Sequence, residues 1–470
     1  MRLILHVLAV LAVVQVRAIF STAFHHAIAT NRPPQRPLLT AFKYASPEKC
    51  QEQPHQQQRP TRSISARGMT SSSSHFDPPI PPPMYGSVLR LDEMTGLWVV
   101  FATGRSRRPA DFSYSSNPQL RLTEGPDYVC NCPFCGGNEH MTTAPLLQIG
   151  NARVVPNKYP AIDPMLPHTM PRKSVYRPSR VASVHHETPA VGFHEVVIES
   201  PIHNAHIATS SNSAQARDLL LCFRNRGQVH HKQAGRGIEH TVYFKNHGAT
   251  AGASLTHPHA QVVSTPVVPI EAQRLQSLAL EYFKKNRVCL YERVIEEELR
   301  LHREEPHKSR VVDVSKNFVA VVPYASPGPY VVNIIPRFGA DLLAQGIDCS
   351  QFTTTSDELL EECATILQSV LRRHYVALNE PCFNLVVQSS PVADRGIQAV
   401  YKTSAFYRWH IRITPRLGAG AMAGFELGSG FFSNSHIPED DAAELRAVEP
   451  FLIEVPPTPW NTTTTDLPVS

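Results

Sequence analysis

Alternation of apolar and polar positions predicts short β-strands along most of the chain. The strand-like runs are bounded by Pro, Gly and Asn, which favour turns. The predicted strands are Phe193–Glu199, Thr241–Lys245, His259–Thr265, Phe318–Val322, Tyr330–Ile335, Phe383–Gln388 and Tyr407–Ile413.

Apolar residues at helical spacing predict helices over Ala214–Arg226, Ile270–Arg287 and Ser356–Leu378. Before the last of these, Thr355 and Glu358 have the spacing of a capping box. Strands interspersed with these helices indicate an α+β protein.

A long-period repeat divides the chain into two halves. The first half contains, in order, Cys132-Pro-Phe-Cys135, Val154-Val-Pro156, His194-Glu-Val-Val-Ile198 and His257-Pro-His259. The second contains Cys289-Leu-Tyr-Glu292, Val321-Val-Pro323, Val331-Val-Asn-Ile-Ile335 and Trp409-His410-Ile-Arg412. The interval from first cysteine to first histidine is nearly equal, from 132 to 257 and from 289 to 410. We therefore interpret the halves as structurally equivalent, with His410 at the position equivalent to that of His257.

The segment between Gly252 and Gln261 concentrates candidate chemistry. In an extended backbone, alternate residues point to one face, so His257, His259 and Gln261 would share a surface. Pro258 favours that extended backbone at the residue before it. An imidazole beside amide donors suits attack on phosphorus. An isolated His-x-His is also compatible with polar strand residues or a metal pair.

Together with Phe244-Lys-Asn246-His-Gly248 upstream, this segment resembles the active site of galactose-1-phosphate uridylyltransferases, the transferase branch of the histidine-triad superfamily. The resemblance spans about residues 85 to 444. It implies two tandem histidine-triad-like domains, each a mostly antiparallel sheet flanked by helices. We place these domains at 81–268 and 269–450, with a tail at 451–470.

The resemblance also implies a mechanism by double displacement. His259 would attack the α-phosphorus of UDP-glucose, and a hexose 1-phosphate such as galactose 1-phosphate would then accept UMP. Gln261 stands where the hydrolases of the superfamily carry a third histidine, which favours transfer over hydrolysis. The alternatives are an ADP-glucose phosphorylase, with phosphate as acceptor, and a catalytically silent nucleotide-binding scaffold.

Cys132 and Cys135 have the spacing of a zinc half-site, although alone they could also be redox-active or unpaired. The resemblance supplies His203, in Ser200-Pro-Ile-His203, and His257 as the remaining ligands of one structural zinc ion. In the second half, His410-Ile-Arg412 and Cys289-x-x-Glu292 depart from the pattern. This departure argues against a second metal site, although Cys289, Glu292 and His410 could gather around an ion.

Further ligand contacts follow from the resemblance. The segments around the phosphates and nucleoside contain Arg105, Arg108, Asn157, Asn246, Gly252 and Ser254. In Ala423-Gly-Phe425-Glu426, an aromatic residue and a glutamate would meet the hexose, with Phe425 in place of the usual tyrosine. The resemblance implies a homodimer with sites near the interface.

Length, charge and cysteine number limit the remaining possibilities. A chain of 470 residues with 42% hydrophobic residues allows two or three domains. The net charge of +5 comes from residues 1–76, and the remainder has 36 Lys and Arg against 38 Asp and Glu. This balance gives no electrostatic support to nucleic-acid binding. Nine cysteines, an odd number in a large chain, argue against a disulfide framework.

The N-terminus has the composition of targeting segments. Residues 1–23 contain Arg2 and the apolar run Leu3–Val16, which is typical of a signal peptide and too short to span a membrane. Residues 24–80 are rich in Arg, Pro, Gln and Ser and resemble a transit peptide. The combination resembles the bipartite presequence of algae with complex plastids and predicts a plastid location. Secretion with a disordered leader, or a cytoplasmic protein with a misassigned start codon, are the alternatives.

Overall fold

The computed structural model describes residues 87–92, 97–102, 122–164, 177–178, 186–234, 237–337, 348–392, 401–417 and 423–449. The predicted presequence, the tail at 451–470, Arg105 and Arg108 lie outside these ranges. Residues 73–470 belong to one compact unit, so both halves of the repeat fall within it.

Short strands and longer α-helices alternate along the described residues. The strands are β1 (Ser87–Asp92), β2 (Leu97–Ala102), β3 (Leu147–Ile149), β4 (Ala152–Pro156), β5 (Asp163–Pro164), β6 (Arg177–Pro178), β7 (His186–Pro189), β8 (Val191–Ile198), β9 (His240–His247), β10 (His259–Thr265), β11 (Val311–Val314), β12 (Phe318–Val321), β13 (Val332–Pro336), β14 (Phe383–Gln388) and β15 (His410–Pro415). The α-helices are α1 (Ala214–His231), α2 (Ile270–Asn286), α3 (Leu290–Glu304), α4 (Asp357–Ala377), α5 (Gly424–Ser429) and α6 (Pro438–Ala447).

One large sheet of 11 strands contains most of these strands, in the order β11-β12-β13-β15-β14-β9-β10-β8-β4-β3, with β5 paired to β8. Its pairings are antiparallel except that between β5 and β8. A smaller sheet has the order β2-β1-β7-β6. The predicted α+β class with mostly antiparallel sheet is confirmed.

The two halves of the repeat share the large sheet. The first half contributes β3, β4, β8, β10 and β9, and the second contributes β11, β12, β13, β15 and β14, in mirrored order about the join. The join is the antiparallel pairing of β9 with β14, in which Phe244 lies opposite Val386. The two domains predicted from the sequence are thus continuous through a common sheet. The predicted boundary at 268/269 falls between β10 and α2.

The main core lies between one face of the sheet and helices α1, α4 and α6. It contains Val197 of β8, Val262 of β10 and Ile411 of β15 from the sheet, and Phe223 and Leu367 from the helices. The opposite face is covered by different segments in the two halves. In the first half, the Cys132–Cys135 turn packs on Val155 and Ile198, whereas in the second α3 packs through Ile295.

Helix and strand boundaries agree with the sequence patterns to within a few residues, with one correction at the start of α4. The cap is Ser356, whose hydroxyl accepts the Leu359 N–H at 3.4 Å, and not Thr355. Ser356 has the extended backbone of an N-cap residue, so its hydroxyl reaches the first turn of the helix. Helices α3, α5 and α6 were not predicted.

Strand register corrects the alignment of the repeat at His410. His259 and His410 both begin their strands, and Gln261 lies opposite Val196 on β8 just as Arg412 lies opposite Asn333 on β13. His410 is therefore equivalent to His259, and not to His257 as the motif spacing suggests. A slip of two residues leaves the same side chains on the same face, so periodicity alone cannot detect it.

The corrected register places Arg408 at the position of His257. The Arg408 side chain is fully buried and forms an ion pair with Glu292, which follows Cys289 by the same three residues that separate Cys135 from Cys132. The guanidinium also donates to the Tyr407 carbonyl oxygen at 2.9 Å. The second half therefore joins these segments through an ion pair.

Candidate active site and metal centre

The candidate nucleophile lies at the start of β10, where the loop from β9 re-enters the sheet. Ala260 and Val262 of this strand belong to the main core, so His259 and Gln261 point to the opposite face. Gly248 and Gly252 in the preceding loop both have a φ of +81°. A Cβ at Gly248 would lie 2.1 Å from the Cys382 sulfur, so this turn requires glycine.

The ring of His259 is fixed by its own strand. Its Nδ1 lies 2.8 Å from the backbone carbonyl oxygen of His257. Because a carbonyl oxygen only accepts, Nδ1 carries the hydrogen and Nε2 carries the lone pair in the neutral ring. The ring of Phe134 packs against the imidazole at a centroid distance of 5.4 Å. The geometry therefore leaves the lone pair of the neutral ring on Nε2, on the side away from the strand backbone.

Burial keeps this imidazole neutral. The pKa of His259 is lowered to about 4, chiefly because the ring is removed from water. The carbonyl of His257 opposes this shift, while the charge of buried Lys245 adds to it. At neutral pH, His259 is therefore an uncharged base.

A Cys2His2 group lies next to this strand. Four ligand atoms, one each from Cys132, Cys135, His203 and His257, lie within 4.8 Å of one another. The Nδ1 atoms face the sulfurs, with His203 at 3.3 Å and His257 at 3.6 Å from the Cys135 sulfur. Two thiols and two imidazoles are the donor set that tetrahedral zinc prefers. The four residues predicted as ligands are thus brought together.

Outer contacts fix both imidazoles for metal binding. The Nε2 of His257 donates to the Ser200 carbonyl oxygen at 2.8 Å. The Nε2 of His203 lies 2.8 Å from the Thr256 hydroxyl. Hydrogen on Nε2 leaves the Nδ1 lone pairs directed at the sulfurs, which is the arrangement that ligating histidines usually show.

The pKa values of the two thiols are also shifted by their contacts in this group. The pKa of Cys132 is lowered to about 3, first because the Cys135 side chain hydrogen-bonds to it, and the His257 ring also contributes. The pKa of Cys135 is raised by the same contact with Cys132 and by burial. The two shifts are opposite in direction because the thiols share a hydrogen bond, and a bound metal ion would deprotonate both.

The turn that carries the cysteines is held by two further side chains. The Asn138 amide nitrogen donates to the carbonyl oxygens of Cys130 at 3.1 Å and Cys132 at 2.8 Å. The Arg153 guanidinium donates to Phe134 O at 3.3 Å and also contacts Glu139 at 2.7 Å. These bonds fix the turn, and with it the ring that packs on His259.

The chain is similar to proteins of known activity. Residues 69–269 match the sequence profile described as "Galactose-1-phosphate uridyl transferase, N-terminal domain". ADP-glucose phosphorylase of Arabidopsis thaliana is 29% identical over 370 residues, which cover 77% of this chain and 92% of that protein. Galactose-1-phosphate uridylyltransferase of Thermotoga maritima is 25% identical over 373 residues, 77% of this chain and 98% of that protein.

The chain is therefore similar to the galactose-1-phosphate uridylyltransferase family, most directly over residues 69–269. Its structure resembles that of an Arabidopsis thaliana ADP-glucose phosphorylase with bound ADP-glucose, at 27% identity and a TM-score of 0.55. That alignment covers 77% of this chain and 99% of the other. Among the described residues, no helix has the length and apolar composition to cross a bilayer.

Two of the predicted phosphate and nucleoside residues contact side chains on strands of the large sheet. The Asn157 amide nitrogen is 3.0 Å from Nε2 of His194, whose ring also contacts Gln261. The Asn246 oxygen accepts from the Asn384 amide at 2.8 Å. Gly252 and Ser254 lie in the loop that connects β9 to β10. Asn157 thus contacts β8, Asn246 lies on β9, and Gly252 and Ser254 precede β10, so these predicted residues belong to β10, its neighbouring strands or the loop before it.

The predicted hexose contacts are not brought to this strand. Phe425 and Glu426 lie on the short helix α5, and the Phe425 side chain is exposed. The Phe425 ring contacts Phe431, and the Glu426 carboxylate accepts the Ala423 N–H at 3.1 Å. Within the described part of the chain, both side chains thus contact only their own segment.

Three residues near the site were not selected from the sequence. His194 contacts Gln261, Phe134 packs on His259, and Asn384 from the second half orients Asn246. A usable signal existed for His194, since the positions of β8 on the same face, Gly192, Val196 and Ile198, carry no polar side chain. Nothing in the sequence identifies Asn384, because its contact depends on the pairing of β14 with β9.

Proposed function

We propose that the protein transfers a nucleotidyl group from a nucleoside diphosphate hexose to a phosphate-bearing acceptor, through a nucleotidyl intermediate on His259. The observation that carries this proposal is the Nδ1–H bond to the His257 carbonyl oxygen, which directs the Nε2 lone pair away from the strand. Neutrality at pH 7 makes the same atom reactive.

The first half-reaction forms a bond between Nε2 of His259 and the α-phosphorus. The bond from that phosphorus to the bridging oxygen breaks, and hexose 1-phosphate leaves with the electron pair. The Nδ1 hydrogen stays on the ring and keeps its bond to His257, which stabilises the charge that develops on the imidazole. In the second half-reaction, an acceptor phosphate oxygen attacks the phosphorus and the imidazole leaves.

Gln261 favours transfer over hydrolysis in this scheme. A neutral amide can donate to phosphoryl oxygens, but it cannot supply a proton to a leaving group or activate water. Both His259 and Gln261 are present and share a face, which argues against the alternative of a silent nucleotide-binding scaffold.

The Cys2His2 group fits zinc, and we propose that it holds one structural zinc ion. Four protein ligands close the coordination sphere, so the ion would hold protein segments together and would not activate water. Through His257 it would fix the carbonyl that binds His259. Through Cys135 and His203 it would join the cysteine turn to the segment after β8.

Similarity favours ADP-glucose as donor and phosphate as acceptor. The Arabidopsis ADP-glucose phosphorylase has a higher identity to this chain than the Thermotoga uridylyltransferase, 29% against 25%. The second candidate is the exchange predicted from the sequence, transfer of UMP between UDP-glucose and galactose 1-phosphate, which the family profile and the Thermotoga relative support.

We also propose contacts between the ligands and residues other than His259. Arg105 and Arg108 would bind the nucleotide phosphates, and Asn157, Asn246, Gly252 and Ser254 would surround the phosphates and nucleoside. Phe425 and Glu426 would contact the hexose, in a homodimer whose contacts could cover exposed side chains such as Leu427 and Phe432. Import into a plastid through residues 1–80 is likewise a proposal.

The test is the intact mass of the purified full-length chain after brief exposure to ADP-glucose or UDP-glucose, without acceptor. An AMP adduct that phosphate removes supports the phosphorylase. A UMP adduct that galactose 1-phosphate removes supports the uridylyltransferase. Absence of an adduct with both donors would contradict the proposed transfer and favour the scaffold.

A further inference from the structure

His194 connects the loop that follows β4 to the catalytic strand. It lies on β8, opposite Val263 of β10, and its side chain is buried. The backbone N–H of Ala161 lies on one side of its ring and the Gln261 side chain on the other. The backbone can therefore fix the orientation of the His194 ring, and the ring can fix the orientation of the Gln261 side chain.

The backbone determines which ring nitrogen carries the hydrogen. The Ala161 N–H donates to Nδ1 of His194 at 2.9 Å. A backbone N–H can only donate, so Nδ1 carries the lone pair and the neutral ring has its hydrogen on Nε2. His194 thus presents a donor toward β10.

The Nε2–H of His194 has one acceptor within reach among these contacts. The Gln261 Oε1 lies 2.8 Å away. The Asn157 amide nitrogen is 3.0 Å from the same Nε2, but the Asn157 oxygen accepts the Tyr159 N–H at 2.8 Å. Asn157 therefore also presents a donor, and the hydrogen of His194 goes to Gln261.

This bond determines which end of the Gln261 amide is available for a ligand. Since Oε1 is bound to His194, the amide NH2 is the end left to face a group held beside His259 on the same side of the strand. Phosphoryl oxygens are acceptors only, so they require the NH2 end. A reversed amide would place its oxygen against them and repel them.

We propose that His194 is a positioning residue that orients the Gln261 amide, so that its NH2 donates to a phosphoryl oxygen during nucleotidyl transfer to His259. This inference rests on the proposed function. His194 acts through Gln261 and does not contact the reacting atoms.

Three substitutions of His194 separate this role from simple packing. His194→Gln can keep an N–H donor toward Gln261 and an oxygen for the Ala161 N–H. His194→Glu presents an acceptor and forces the Gln261 amide to reverse. His194→Phe keeps a ring without polar atoms. Each is made in the unmodified chain and in a Gln261→Ala background.

The readout is the single-turnover rate of nucleotidyl-His259 formation, together with donor Kd. We expect His194→Glu to lower the rate about 100-fold, as loss of a preorganised donor does, with Kd changed less than about threefold. The rate of His194→Phe should lie between those of His194→Glu and the unmodified chain. The rate of His194→Gln should be within about tenfold of the unmodified chain. In the Gln261→Ala background, all three should have no further effect beyond about twofold.

Equal losses in both backgrounds would overturn the inference, because the effect would then not pass through the amide. The His194→Glu variant is excluded if its unfolding temperature shows that it does not fold. In that case the rates of His194→Phe and His194→Gln are compared in the unmodified chain and in the Gln261→Ala background, and equal losses in both would again overturn the inference. An unmodified chain that forms no adduct with either donor would refute the proposed function and the inference with it.

Discussion

His259 and His410 occupy equivalent positions on β10 and β15, and each directs Nδ1 at the carbonyl oxygen two residues earlier, at 2.8 Å and 3.2 Å. An aromatic ring packs on each imidazole, Phe134 at 5.4 Å and Tyr291 at 5.5 Å. The surroundings then diverge. Gln261 follows His259, whereas Arg412 follows His410 and bonds to Asn333. His410 therefore serves as an internal control for His259, the proposed nucleophile.

Replacing His259 with glycine should abolish the nucleotidyl adduct, because it removes the Nε2 lone pair that lies beside Gln261. Replacing His410 with glycine should leave the adduct intact, although the cavity would lower the free energy of unfolding by about 1–3 kcal/mol. Intact mass after exposure to donor distinguishes the two variants. An adduct that persists in His259→Gly would contradict the assignment of the nucleophile.

Metal content should depend on Cys135 and not on Cys130, although both lie in the same turn. Cys135 is buried within the Cys2His2 group, whereas Cys130 is exposed. Cys135→Ser should lose zinc and lower the unfolding temperature by on the order of 10 °C, because a structural ion stabilises the folded state directly. Elemental analysis and calorimetry of both variants provide the measurement, and equal zinc content in the two would refute the ligand assignment.

Arg408→Met should destabilise the second half without changing metal content. Arg408 is fully buried, whereas its partner Glu292 is about one-third exposed, so we expect a loss of about 1–3 kcal/mol in the free energy of unfolding. Zinc content should match that of the unmodified chain, because an ion pair between Arg408 and Glu292 stands where the first half has two of its metal ligands. Chemical denaturation with parallel elemental analysis tests this, and loss of an ion on substitution would contradict it.

Stability should decline as the pH falls from about 6.5 to 4. Burial lowers the pKa of His374 to about 4, and those of His240, His259 and His410 similarly. Between these pH values the unfolded chain binds protons that the folded chain does not, so the free energy of unfolding falls as the pH falls.

His374→Gln isolates one such group. The Nε2 of His374 donates to the Tyr330 carbonyl oxygen at 2.9 Å, and a glutamine can keep this donor without titrating. We expect the slope of unfolding free energy against pH to decrease by ~1.4 kcal/mol per pH unit within this window. Urea denaturation at several pH values measures the slope, and an unchanged slope would exclude His374 as a contributor.

The sequence patterns predicted the strands better than their register. The bounds of β10 and β14 were predicted in full, since Pro and Gly or polar residues flank their apolar alternation. Helix α3 was not predicted, because the segment was analysed only for its match to the Cys-x-x-Cys motif, whereas Cys289 is at the N-cap position of a helix and Glu292 lies in its first turn. The alignment of His410 failed because a shift of two residues preserves the face of every side chain.

The residues of the candidate site that belong to sequence motifs were predicted. The contacts that depend on which strands pair in the sheet were not. Cys132, Cys135, His203 and His257 belong to recognisable motifs and do converge. The contact of His194 with Gln261 arises from the adjacency of β8 and β10, and that of Asn384 with Asn246 from the join of the halves. Contacts of this kind are set by topology, which motif spacing along the chain does not contain.

The pairing of β9 with β14 also determines how the chain could be divided. A break between β10 and α2 would turn this central pairing into a contact between two polypeptides, each with an open strand edge. Open edges attract other strands, so either fragment by itself would tend to aggregate. Produced together, the fragments have complementary edges and could reassemble as a heterodimer. The join is therefore, in physical terms, a subunit interface that has become part of a single chain.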